Sequence, residues 1–250
     1  MLNKVPEVTL AFWVIKIMST TVGETGADYL AVHLGLGKAI TAATMFALLV
    51  GFLVVQLRAS HYVPWKYWVT VVLISVVGTQ ITDALTDGLG VNLFVSTAAF
   101  SVALAAVFAI WYWIERTLSI HTIVTRRREL FYWAAILFTF ALGTAAGDLA
   151  TEALGMGFTV GVMVFGALIA VIAGAYYAGA NAVLAFWLAY ILTRPLGASL
   201  GDLLSQSRNY GGLGFGTAAT SVAFLVVITA LVAMVSFRPA RLKSNNDAIR

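Results

Sequence analysis

Cysteine is missing altogether from this 250-residue chain, and histidine and proline are scarce, at three and four residues. The first absence excludes disulfides, thiolate metal sites and cysteine nucleophiles. The three histidines, His33, His61 and His121, fall in expected loops, so an imidazole-based site inside an apolar segment is excluded too. Charge is the third shortage: 10% of the residues are Asp, Glu, Lys or Arg, against roughly 25% in an average soluble domain. So thin a supply cannot cover a water-facing surface. No HExxH pair and no serine or cysteine nucleophile constellation is present, so an enzyme is not expected. The Gly-Gly-Leu-Gly run at 211–214 follows no strand and reads as a flexible outer loop rather than a phosphate cradle. The stretch Met1 to Lys16 does not read as a cleaved signal peptide, because Glu7 and Lys16 interrupt it and no small-residue cleavage site follows.

What the chain does have is apolar sequence, 61% of it. About 20 such residues in helical form span about 30 Å of hydrocarbon. Eight runs qualify, near 8–31, 39–57, 66–87, 92–114, 130–153, 158–178, 182–204 and 216–237. The reading is an all-α polytopic membrane protein of eight transmembrane helices, one membrane domain over 1–250. Lys and Arg set its orientation. The N-terminus, the loops after the second and fourth spans and the C-terminal tail hold Lys4, Arg58, Lys66, Arg116, Arg126, Arg127, Arg128, Arg238, Arg241, Lys243 and Arg250. The opposite loops hold only Lys38 and Arg208. Both termini are therefore expected in the cytoplasm, with the basic loop near 115–129 as a topology anchor. The net charge of +4 is explained by this topology and does not point to nucleic acid.

Trp13, Trp68, Trp133 and Trp187 each stand early in an odd-numbered span. Ten residues after each comes Gly23, Gly78, Gly143 or Gly197, and fifteen after each comes Asp28, Asp83, Asp148 or Asp202. The pattern W-x9-G-x4-D thus recurs four times, at offsets of 55, 65 and 54 residues. It divides the chain into four helical hairpins over about 5–60, 61–115, 128–180 and 181–237. The tryptophans are expected as interface anchors or packing residues, and the glycines as helix contacts. On these motifs the chain resembles a bacterial membrane-protein family of four tandem two-helix repeats, each with a marked tryptophan. That family is labelled a repeat of unknown function, or membrane-anchored protein. The resemblance runs from Val5 to about Phe237. It implies the eight-helix fold and a bacterial inner-membrane location, and it brings no activity.

The two helices of a repeat differ. The even spans hold no charge in their interiors. The odd spans hold Glu24, Asp28, Asp83, Asp87, Asp148, Glu152 and Asp202, seven of the eleven acids in the chain. Odd helices are therefore expected inside and even helices outside. Stepping by four along one helix face gives Lys16, Thr20, Glu24, Asp28; Ser75, Thr79, Asp83, Asp87; Thr144, Asp148, Glu152; and Arg194, Ala198, Asp202, Gln206. Each odd helix carries one polar stripe with its acids toward the outer end. A carboxylate in hydrocarbon costs at least ~2.5 kcal/mol. Lys16 and Arg194, the two basic residues within spans, cannot neutralise seven acids. That deficit points to a bound cation held by oxygen ligands, hence Mg²⁺, Mn²⁺ or Ca²⁺, with protons or Na⁺ as alternatives. The expected cation ligands are Glu24, Asp28, Asp83, Asp148 and Asp202, with Asp87, Glu152, Lys16 and Arg194 as accessories. Asp87 and Glu152 read equally as mouth residues, and Lys16 as a side chain snorkelling to the interface. Pro195, next to Arg194, is expected to kink its helix. The leading expectation is a secondary transporter of a hard divalent cation, exchanging it for protons across the bilayer. The other is a membrane sensor or regulatory protein whose acids only hold helices together.

Overall fold

The computed structural model describes residues 3–32 and 37–237, and of Asp28, Leu30, Ala31 and Val32 it describes the backbone only. His33 and the basic tail from Arg238 lie outside the described residues. Eight long helices follow one another: α1 (Leu10–Val32), α2 (Lys38–Leu57), α3 (Pro64–Asp83), α4 (Leu93–Glu115), α5 (Arg126–Asp148), α6 (Phe158–Tyr177), α7 (Ala182–Ser205) and α8 (Thr217–Phe237). No strand occurs among the described residues. Local chemistry starts several helices. Pro64 occupies the first turn of α3, where its missing N–H costs nothing. Asn92, Thr125 and Asn181 cap α4, α5 and α7 by accepting from free backbone amides.

Seven of these helices are long and apolar enough to cross a membrane, so the chain is a multi-pass membrane protein. The exception is α1. At 23 residues it spans roughly 35 Å, but Lys16, Ser19, Thr20, Thr21, Glu24, Thr25 and Asp28 make it too polar to qualify by composition.

The helices form two concentric layers. Among the crossing segments, those of α3, α5 and α7 are 50–61% buried, and those of α2, α4, α6 and α8 only 11–22%. The odd helices pack α1 on α3, α3 on α5, α5 on α7 and α7 back on α1, a closed four-helix ring. The even helices clad it, and not in the obvious way. Each packs chiefly on the odd helix of the following repeat: α2 on α3, α4 on α5, α6 on α7, with α8 returning to α1. Their outer faces show Phe46, Val102, Met163, Val171, Val226 and Met234, as lipid-facing helices do.

The repeat glycines explain how closely the ring closes. A Cβ on Gly23 would stand 2.6 Å from the Cβ of Ser75, and one on Gly78 2.7 Å from that of Phe140. On Gly143 it would stand 2.5 Å from the Cβ of Arg194, and on Gly197 2.6 Å from that of Thr20. Each glycine thus meets the next helix of the ring at one repeat position, seven residues after its tryptophan: Thr20, Ser75, Phe140 and Arg194. Hydroxyls donating to neighbouring backbones tie the same seams, Thr20 to Thr193 O at 3.2 Å, Thr21 to Gly197 O at 3.1 Å and Thr82 to Ala141 O at 3.1 Å.

Helix α7 runs from Ala182 to Ser205 with Pro195 inside it. The irregular turns sit elsewhere: directly after Asp83 and Asp148 the helix widens into one π turn, Ala84–Gly88 and Leu149–Ala153. Two expectations need correction. Helix α5 begins at Arg126, so the three arginines sit in its first turn rather than in a loop. Arg127 and Arg128 bond to the two oxygens of Glu115 at 2.5 and 2.6 Å, which offsets three cations at a helix N-terminus. The 211–214 run is not a free loop. The backbone amides of Leu213, Phe215 and Gly216 bond to the last carbonyls of α7, and that of Gly214 to the carbonyl of Gln206 just past it.

Candidate functional site

The ring axis is built in layers, one per helical turn, and the sequence stripe supplies them. The layer seven residues past the tryptophans is Thr20, Ser75, Phe140 and Arg194, and the next turn is Glu24, Thr79, Thr144 and Ala198. Only one of the four helices has an alanine in the second layer. Into that space rises Arg194, from the turn below on the same helix. Its guanidinium donates to Glu24 Oε2 at 2.7 Å, to Thr144 Oγ1 at 2.7 Å, to Thr79 Oγ1, and to Thr20 O at 3.3 Å. One cation from α7 is therefore bonded to α1, α3 and α5 at once. Arg194 is wholly buried and Glu24 nearly so. A planar guanidinium offers five N–H donors, more than one carboxylate can satisfy; the two threonines and Thr20 O take up part of the surplus, and the buried Nε–H has no partner among the described residues.

One turn above lie the aspartates. Asp202 is buried, and Asp83 and Asp148 are half-buried. Asp28 occupies the matching backbone position, its side chain outside the described residues. Asp148 is within electrostatic reach of Glu24, Asp83, Asp202 and Glu152. Among the described residues, however, no three acidic or histidine side chains come close enough together to hold a metal ion. Asp87 and Glu152 are both exposed, and Asp87 pairs with Lys38 across 3.4 Å.

Below Arg194 is Lys16. It does not snorkel: it is fully buried. Its Nζ lies 4.0 Å from the ring centre of Phe140 and 4.3 Å from that of Tyr190, with no hydrogen-bond partner. The rings beneath it close the axis. Phe12, Tyr67, Tyr132 and Phe186, each just before a repeat tryptophan, pack against one another and against Tyr190. The Tyr67 and Tyr132 hydroxyls bond to each other at 2.5 Å. Trp68, Trp133 and Trp187 are part of this packing, 2–4% exposed. They are core residues rather than interface anchors. The exposed Trp65, Trp113, Tyr176 and Tyr177 occupy the helix ends instead.

At the basic end the chain's own start seals the ring. Lys4 Nζ donates to Glu129 Oε2 at 2.7 Å and to Leu57 O at 3.2 Å. Gln56 donates to the other oxygen of Glu129 at 3.1 Å, and Asn3 reaches Ile120 O. Glu129 had only a loop position to suggest from sequence, and in the structure it is fully buried. Two signals lay in the sequence for what was missed here. An aromatic precedes every repeat tryptophan, and Leu-Gly follows the repeat aspartate by six residues at 34–35, 89–90 and 154–155, the latter two just past the π turns.

Four stretches, 11–62, 66–117, 131–180 and 185–240, match the family described as Repeat of Unknown Function (DUF347). No curated protein and no solved structure is significantly similar to the chain.

Proposed function

The chain belongs to that repeat family, whose description carries no activity, and we propose from its own site that it is a secondary transporter for a hard divalent cation. In this reading α1 is the eighth span, both termini are cytoplasmic, and the path follows the axis of the inner ring. The observation that carries it is the place of the Arg194 guanidinium. It sits on the axis, bonded to Glu24, Thr79 and Thr144 from three other helices, directly beneath the repeat aspartates. It stands where a dehydrated cation would need oxygen ligands, and acts as a tethered substitute for one. An incoming ion takes Glu24 and the aspartates Asp28, Asp83, Asp148 and Asp202, and the guanidinium swings away. When the ion leaves, Arg194 returns to Glu24, so that buried carboxylate is not left without a counter-charge. Asp87 and Glu152 gather cations at the mouth.

A second reading is favoured by one observation: no three acids among the described residues converge on a metal. In that reading the network only fixes the helices, and the protein is a sensor or structural partner. A thermal-shift series with Mg²⁺, Mn²⁺, Ca²⁺ and Na⁺ separates the two. Transport predicts that a divalent ion raises the melting temperature, and that Glu24→Gln or Asn at Asp28, Asp83, Asp148 or Asp202 reduces the rise. No shift with any ion in the wild type, with the Asn variants as stable as the parent, gives the second reading.

A further inference from the structure

Residues 3–9, ahead of α1, form neither helix nor strand, yet they close the basic end of the ring. The Lys4 amide donates to Ile123 O and the Tyr62 amide to Asn3 O, each at 3.0 Å. The Asn3 side chain donates to Ile120 O at 3.2 Å. Val5 is buried in the apolar cluster that holds Tyr67, Tyr132 and Ile123. The last tie is the Lys4 ammonium, which joins Glu129 in the first turn of α5 to Leu57 O at the end of α2. Trp187 of α7 donates to Leu118 O, in the same loop that the strap grips. The pair is an addition to the repeat. Glu129 stands four residues before Trp133, and the matching positions are Thr9, Pro64 and Val183. Three of the four repeats build the ring without an acid there. A buried ion pair is also a poor plug, since apolar side chains of similar volume hold as well or better. What charge adds is a contact whose two halves each regain water when they part.

We propose that residues 3–9 are the inner gate of the axis, latched by Lys4 on Glu129, and that this strap swings out when an ion passes at the basic end. The inference rests on the transport reading, in which the path opens to one side while the other stays shut. Lys4 and Arg194 then play like parts. Each is a cation brought by one segment onto a buried carboxylate of another, Lys4 on Glu129 at 2.7 Å and Arg194 on Glu24 at 2.7 Å. Arg194 is carried by a packed helix, whereas Lys4 is carried by a strap held through a few hydrogen bonds to loops and helix ends. The strap is therefore the part of the basic end that can leave without taking a ring helix with it. Once it is out, the ammonium stands in water and Glu129 faces the opening, so neither charge is stranded among apolar side chains.

The chain has no cysteine, so a single introduced thiol reports access. Val5→Cys places one in the strap. Val71→Cys places one on α3, one turn past Tyr67 and on the stripe of Ser75, Thr79 and Asp83. Both valines are buried. The full chain in detergent is reacted with a charged methanethiosulfonate, and a melting curve shows that each variant is folded at the labelling temperature. Both thiols should react slowly in the parent. Lys4→Met added to either should raise its rate about tenfold or more, because labelling follows the population of the open form. Glu129→Gln, whose amide still accepts from Lys4 and Gln56, should raise both rates as well, and it serves alone if Lys4→Met is not recovered folded. Rates that neither variant changes overturn the latch. A fast Val5→Cys beside a Val71→Cys at the parental rate means that the strap covers no path, and overturns the gate. With either result the transport reading stands if MnCl₂, MgCl₂ or CaCl₂ raises the melting temperature of the wild type. If no ion does, both readings fall, whatever the thiols show.

Discussion

At the scale of single residues, the axis turns on one buried guanidinium bonded to acceptors on three other helices. Arg194 and Glu24 are a buried pair, and removing one partner of such a pair costs about 3–5 kcal/mol because the other is left charged and alone. Arg194→Met should therefore lower the melting temperature sharply. The double variant Glu24→Gln with Arg194→Met should recover most of the loss, and a thermal double-mutant cycle measures the coupling. Thr79→Val and Thr144→Val each take one acceptor from the guanidinium. Each should cost on the order of 1–3 kcal/mol by chemical denaturation, the scale of a hydrogen bond to a charged group. This part of the site was legible in the sequence. A polar residue in an apolar span stands out, and stepping by four from the aspartates passes through Thr20, Glu24, Thr79, Thr144 and Arg194. The aromatic floor was not legible in the same way. Phe12, Tyr67, Tyr132 and Phe186 are apolar residues in apolar helices, and nothing in composition separates a ring that plugs an axis from one that faces lipid.

At the scale of helices, the glycines divide into two kinds that the sequence does not distinguish. Gly23, Gly78, Gly143 and Gly197 lie in the seams of the inner ring, where an added methyl meets a neighbouring Cβ. Ala at Gly78 or Gly143 should destabilise by about 1–3 kcal/mol, the usual cost of overpacking. Gly51, Gly166 and Gly174 on the outer helices have nothing within 4 Å of such a methyl. Ala there should leave stability unchanged or raise it by up to about 1 kcal/mol, through helix propensity alone. A thermal scan of the seven Gly→Ala variants checks the division. Helix extents were readable to within a few residues, since a run of apolar side chains ends where the membrane does. The π turns after Asp83 and Asp148 were not, because one inserted backbone step leaves hydrophobicity unaltered. Pro195 lies inside α7 against Gly143 and Gly147 of α5, where the small neighbours leave room for its ring.

At the scale of the whole molecule, four equivalent backbones carry an unequal axis. The ring repeats its tryptophans, glycines and aspartates, yet Lys16, Glu24 and Arg194 each occur on one helix only. Fourfold pairing of helices does not by itself need any of the three. Their singularity is why the sequence pointed so directly to them, and why the partner of each had to come from the structure.

The cladding of each odd helix by the even helix of the repeat before it has a further consequence. Every hairpin reaches an arm around its successor, and the last embraces the first, so the seal at α8 and α1 is made by the same handshake as the others. Where the chain is cut is then immaterial to the circle, provided every arm finds its neighbour. Two separate polypeptides, 1–118 and 119–250, each offer one arm the other lacks, and coexpressed they should purify together as a single eight-helix particle with the cation response of the intact chain. Either half alone would hold out an unclasped arm, and should be lost to aggregation or proteolysis on a membrane-fraction immunoblot.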